Sequence, residues 1–155
     1  MELAVVDIQK LLSESSAAVK LQEQLSKERK KFQEVFSGYE RELKEDEQKL
    51  AEQKSSLSSE AFAEKRDAFE QKLLETSRLA KKRKRELDEA FNRALGRLRE
   101  QIIKAAAEIA KKEGYKVVLT KQYVVVLEKE IDITEKVLEN LNSQLPELSL
   151  DIKNR

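Results

Sequence analysis

Apolar positions fall into short continuous runs near both ends of the chain and a long stretch of helical spacing between them. Leu3-Ala4-Val5-Val6 is an apolar run that stops at Asp7, which predicts a strand and then a helix over Ile8 to Leu12 with Asp7 as its cap. From Ser13 to Ser16, hydroxyls compete with the helix for backbone hydrogen bonds, so a break is expected there and a fresh helix near residue 17. Beyond it, Leu25, Phe32 and Tyr39 interleave with Phe36, Leu43, Leu50 and Leu57, two series of sevenfold spacing that together make one coiled-coil seam. The serine-rich Ser55-Ser56-Leu57-Ser58-Ser59 interrupts it, and Ser58 or Ser59 is suited to cap a second helix with Glu60 in its first turn.

That second helix carries Phe62, Phe69, Leu73, Ala80, Leu87, Phe91, Leu98, Ile102 and Ile109 and is expected to end at Gly114, a residue that tolerates the left-handed cap. Folding the helices back about residue 57 or 58 brings Leu43 near Leu73, Phe36 near Ala80 and Leu25 near Phe91, as an antiparallel pair requires. At 1.5 Å per residue, arms of roughly 40 to 50 residues would be about 60 to 75 Å long. Their distal part is thin in apolar residues, with Lys44-Glu45-Asp46-Glu47 facing Glu64-Lys65-Arg66-Asp67, and is expected to bend and fray.

Past Gly114 the rhythm changes again. Tyr115 to Thr120 and Tyr123 to Leu127 are rich in β-branched and aromatic residues and are joined by Lys121-Gln122, which predicts a two-stranded hairpin. Asp132-Ile133-Thr134-Glu135 offers a capping box, or a Thr134 cap, for a last helix bearing Val137, Leu138 and Leu141, and Pro146 with its polar neighbours suggests a loose tail beyond Asn142. Two strands alone are marginal, so the N-terminal strand is expected to complete a three-stranded sheet. The fold class is therefore α+β, mostly α: a β-containing body from residues 1–16 and 110–155, and a helical hairpin arm from 17–109 with its tip near 55–59. Continuous apolar strands imply a sheet covered on both faces, which two short helices cannot easily achieve. Contact between copies of the chain is therefore expected through Val5, Val6, Val117, Val118, Leu119, Val124, Val125 and Val126.

Composition agrees. Of 155 residues, 39% are charged and only 5% aromatic, too little apolar material for one compact globule, and 3 Gly with 1 Pro leave long helices uninterrupted. With 0 Cys and 0 His, the chain offers no thiolate nucleophile, no zinc-type ligand set and no Ser-His arrangement, and no phosphate-binding Gly-rich loop is present. No catalytic residue, metal site or cofactor is expected, and exposed carboxylates such as Glu45, Asp46 and Glu47 are solubilising. The balance of 31 basic against 30 acidic residues argues against nucleic acid as a partner. No run is long enough to span a membrane, and Met1-Glu2 does not begin a signal peptide, so an exported form would already have lost one.

Two features remain as candidate binding sites. Lys81-Lys82-Arg83-Lys84-Arg85 is a basic stretch able to attract acidic segments or phosphates, set against the plainer reading of a solvated helix face balanced by Glu23, Glu28 and Glu34. Phe62 and Phe69, near the tip, are the aromatic residues most available for contact outside the seam.

The order of parts resembles the Skp/OmpH family of periplasmic chaperones. Ala4-Val5-Val6-Asp7 followed by Leu11-Leu12-Ser13-Glu14-Ser15 is similar to the family's opening strand and first helix. Gly114-Tyr115-Lys116-Val117-Val118-Leu119, Val124-Val125-Val126-Leu127, Ile131 to Leu138 and Leu141-Asn142 are similar to its closing block. Over residues 3 to 142 the resemblance implies a jellyfish-like homotrimer in the periplasm, whose three arms surround a cavity and hold unfolded outer-membrane β-barrel proteins without ATP. A weak association with anionic membrane surfaces is the lesser partner expected. The competing reading is a coiled-coil scaffold or tether that docks one folded partner. A prefoldin-like arrangement fits less well, because there the chain ends lie at the helix tips.

Overall fold

The computed structural model describes residues 2–152. The elements run β1 (Leu3–Val6), α1 (Ile8–Glu14), α2 (Ser16–Gln53), α3 (Ser59–Glu113), β2 (Val117–Thr120) and α4 (Thr134–Gln144), with single 3-10 turns at Lys121–Tyr123 and Lys129–Ile131. The chain divides into two compact units, Met1–Ser26 with Glu89–Arg155, and Lys27–Asp88.

In the first unit, the expected boundaries have visible causes. The Asp7 carboxylate accepts the Lys10 N–H at 3.0 Å and starts α1. Ser15 adopts extended backbone (φ −62°, ψ 154°) and ends that helix, while its buried hydroxyl accepts the Ala18 N–H at 3.2 Å and starts α2. Ser16 N–H donates to the Asn142 side chain, tying this joint to α4. At the far end of α3, Gly114 takes φ +81° and lets Tyr115 N–H donate back to Ala110 C=O at 2.9 Å.

The sheet differs from expectation. β1 pairs with β2 in parallel, Leu3 opposite Val117 through Val6 opposite Thr120, and the connection between them is the pair of long helices, the kind of long crossover that parallel strands need. On its other edge β1 makes a single bridge to Asp132, where Ile133 N–H donates to Val5 C=O at 2.9 Å. The predicted hairpin is absent: Lys121–Tyr123 forms a 3-10 turn and Val124 to Leu127 is irregular. After the 3-10 turn, Val124 to Leu127 pairs with no strand among the described residues and leaves the outer edge of β2 unpaired; β-branched residues make a strand only when a neighbour takes up their backbone groups. Neither does the capping box form. Asp132 accepts the Thr134 N–H at 3.0 Å and its hydroxyl at 2.5 Å, while Glu135 pairs with Lys10 at 2.9 Å.

One core joins these parts. Ala4, Val6 and Leu11 meet Ala17, Ala18 and Leu21 of α2, Ala94, Leu98, Ile102, Ala105 and Ala106 of α3, and Ile133, Val137 and Leu141, all buried. The alanines let helix backbones approach closely, and the larger residues fill the space that remains. The tail predicted to be loose is not so as far as residue 152, because Leu145, Leu148 and Leu150 pack against this core; residues 153–155 lie outside the described residues.

The second unit is a two-helix hairpin turning through residues 54–58, with the Ser58 hydroxyl accepting the Ala61 N–H at 3.2 Å. Contacts between its helices run in opposite directions along the two helices, from Lys65 with Gln53, through Lys72 with Asp46 and Glu42, to Arg83 with Phe36. Phe36, Leu43 and Leu87 are its most buried apolar residues. Leu73, expected in the seam opposite Leu43, is instead 48% exposed. Half-buried Lys72 and Thr76 take the inner positions on that turn, because Lys72 is drawn inward by two carboxylates at 2.7 and 2.8 Å.

Candidate binding surfaces

Three surfaces emerge, two in the first unit and one in the second. The first is apolar and surrounds the outer strand. Val118 is half-buried against the core, but Val117 and Leu119 point away from it and are exposed, and beyond them Tyr123, Val125 (99% exposed) and Val126 (86%) stand in solvent. Contiguous apolar exposure of this kind is unusual on an isolated soluble chain. Behind the same strand lies an apolar cleft of about 490 Å³ lined by Val6, Ile8, Ile102, Ile103, Tyr115 and Val118. Of the residues expected to join copies of the chain, Val117, Leu119, Val125 and Val126 therefore present a surface, and Val118 and Val124 are half-buried. Val5 and Val6 lie inside the chain's own body, 1% and 3% exposed.

A polar rim borders this region. Asp132 lies beside Lys121 at 3.7 Å. Burial pushes its carboxyl up, but the Thr134 hydroxyl and N–H together with Lys121 outweigh that and hold it below the ordinary aspartate value.

The second surface belongs to the hairpin unit. Phe69 is half-buried in a shallow pocket with Leu50, Lys65 and Lys72, and Phe62 is half-buried nearer the turn. Lys72 is held above its usual lysine value by its hydrogen bonds to Asp46 and Glu42. Lys81, Lys82, Arg83, Lys84 and Arg85 are exposed, yet they do not act as one block: Lys82 lies 3.9 Å from Glu86, and Arg83 sits over the Phe36 ring at 6.0 Å. Phe36 in turn touches Phe32 and Tyr39 at 4.5 and 5.4 Å between ring centres. Twelve to sixteen residues of helix separate Phe69 from the basic run, about 18 to 24 Å, so the aromatic and basic candidates form two sites. Val35, Leu73 and Leu74 add scattered apolar exposure.

The third surface was not anticipated from sequence. The segment after α4 lies between the body portions of α2 and α3, held by Gln24, Arg93 and Arg97. Two signals for it were present: arginines one helical turn apart on α3, and the alternation Leu148-Ser149-Leu150-Asp151-Ile152 in the tail.

Among the described residues, no group of three or more His, Cys, Asp or Glu is placed to hold a metal ion, and no helix is long and apolar enough to cross a membrane.

A comparison with curated proteins found no match. Among solved structures, the chain is similar to an OmpH-like protein from Caulobacter crescentus CB15 described as an outer membrane chaperone. The TM-score is 0.93 at 16% identity, covering 99% of this chain and 91% of that one, a likeness of fold. The family model for OmpH-like outer membrane proteins matches residues 2–141. With its opening strand, long helical pair and all but the last residue of its closing block inside that match, the chain belongs to the OmpH-like family.

Proposed function

We propose that the chain is a non-enzymatic, ATP-independent holding chaperone of the periplasm that binds unfolded outer-membrane β-barrel proteins and prevents their aggregation. Membership of the OmpH-like family supports a chaperone role. The observation that carries the finer reading is the pairing of two unlike surfaces: a hairpin with only dispersed apolar exposure at Val35, Leu73 and Leu74, and a body with a concentrated patch at Val117, Leu119, Tyr123, Val125 and Val126. Dispersed contacts suit a client that must be released without nucleotide, because many weak contacts hold by avidity and exchange one at a time. A concentrated patch suits a fixed partner, here further copies of the same chain arranged as a homotrimer. Basic residues Lys81 to Arg85 would attract acidic client segments, and Phe62 and Phe69 would add apolar contacts.

The test has two parts. Light scattering is expected to give about three times the 17.9 kDa chain mass, and Val125→Asp with Val126→Asp is expected to dissociate the assembly. Dilution of a urea-unfolded β-barrel protein into the intact protein should leave it soluble, and failure to suppress its aggregation would overturn the chaperone reading in favour of a tether with a fixed folded partner.

A further inference from the structure

The tail beyond α4 is bound the way a peptide is bound. On one edge, the Gln24 side-chain amide donates to Leu148 C=O at 3.0 Å and accepts the Leu150 N–H at 2.9 Å, as a neighbouring strand would. On the other edge, Arg97 donates to Ser149 C=O and Arg93 to Asp151 C=O, both at 3.0 Å. Residues 148 and 150 thus face α2 and residues 149 and 151 face α3, as the backbone groups of an extended chain alternate. The spacing fits: two extended residues advance about 6.6 Å and four helical residues about 6.0 Å. Side chains alternate in the perpendicular direction, with Leu148, Leu150 and Ile152 partly buried and Ser149 and Asp151 exposed.

All four of these bonds reach main-chain atoms. Among the described residues, the segment's charged side-chain contact is Lys20 with Glu147 at 3.7 Å, solvent-exposed and weak. Recognition therefore asks for extended backbone and alternating apolar side chains, and for little else.

We infer that the cleft formed by Gln24, Arg93 and Arg97 is a binding site for an extended peptide of alternating apolar and polar residues, with the chain's own tail as its resident competitor. The ligand class rests on the holding-chaperone reading, since the membrane strands of β-barrels carry this alternation. A tethered occupant is present at high effective concentration, so it admits a client only when many other contacts already hold that client.

The test uses the full chain and three labelled peptides: one copying Leu145 to Ile152, one copying a membrane strand of a β-barrel, and a scrambled strand without alternation. Leu148→Asp with Leu150→Asp evicts the tail and leaves the cleft intact. Fluorescence anisotropy is expected to show at least tenfold tighter binding of both alternating peptides to this variant than to the parent, no gain for the scrambled one, and loss of the gain when Gln24→Ala, Arg93→Ala and Arg97→Ala are added. Should the double aspartate variant lose helical circular dichroism, Leu150→Pro, which deletes the N–H that Gln24 accepts, replaces it. No gain for either alternating peptide overturns the site, and a gain for the tail peptide alone reduces it to a seat for the tail. Client holding is measured in parallel on the parent protein. Its loss with peptide binding intact defeats the chaperone reading alone, and the reverse pattern defeats this site alone.

Discussion

The body unit and the hairpin unit are built from the same long helices by opposite means. In the body, small residues such as Ala94 and Ala105 alternate with Leu98 and Ile102, and these four are fully buried. Strand, short helices and tail close over them. In the hairpin, two helices have only each other, so even the best-covered side chains, Phe36, Leu43 and Leu87, keep 7–8% of their surface in water, and a lysine occupies a seam position. Two helices offer one interface, and every residue outside that line meets solvent. Rigidity is therefore expected of the body, where strand and helices hold one another in register, and readier local opening of the hairpin, where few apolar contacts resist it.

The largest test of this contrast is truncation of one leucine in each unit. Leu98→Ala should cost about 2–5 kcal/mol of stability, because it leaves a cavity in a fully covered core. Leu43→Ala should fall at or below the bottom of that range, with hydrogen exchange accelerated only within residues 27–88. Equal losses in chemical denaturation would break the comparison.

A smaller and opposite effect is expected at Gly38, in the hairpin portion of α2, where an added Cβ would meet nothing within 4 Å. Gly38→Ala should gain about 0.5–1 kcal/mol of helix stability through lower backbone entropy in the unfolded chain. If the hairpin is the weaker unit, amide exchange near residue 38 should slow while body amides remain unchanged. Slowing spread through both units would show that they open together.

The smallest effect is confined to acid. Asp132 has a lowered carboxyl pKa in the folded chain, so its contribution is present above the ordinary aspartate value and is lost as pH falls through the lower folded value. Asp132→Asn should flatten the acid limb of the body's stability below about pH 4 while leaving the hairpin's response unchanged. An unchanged acid limb in the variant would remove Asp132 as a contributor.

Local chemistry in the sequence foretold most boundaries. Asp7, Ser15, Ser58 and Gly114 act on backbone groups within a few residues of themselves, so their effect needs no tertiary context. Seam periodicity likewise located both long helices. Legibility failed where a choice depended on distant residues. Whether Val124 to Leu127 forms a strand depends on whether its backbone meets a neighbouring edge, and after the 3-10 turn at Lys121–Tyr123 it pairs with no strand among the described residues. Leu73 lost its seam position to Lys72 because Glu42 and Asp46 lie across the hairpin, about 30 residues away in sequence. Alternation in the tail was visible, but its meaning depended on side chains more than 50 residues away on α3 and more than 120 away on α2.

By itself, then, the sequence determined the helices, the caps of the first three, the turn between the long pair and the α+β class, because those follow from backbone preferences and short-range periodicity. Only the tertiary structure decided that β1 pairs in parallel with β2, that the valine-rich segment stands in solvent and that the tail lies between α2 and α3. Each of these depends on which backbone groups and apolar faces meet across long separations, and no local pattern encodes that meeting.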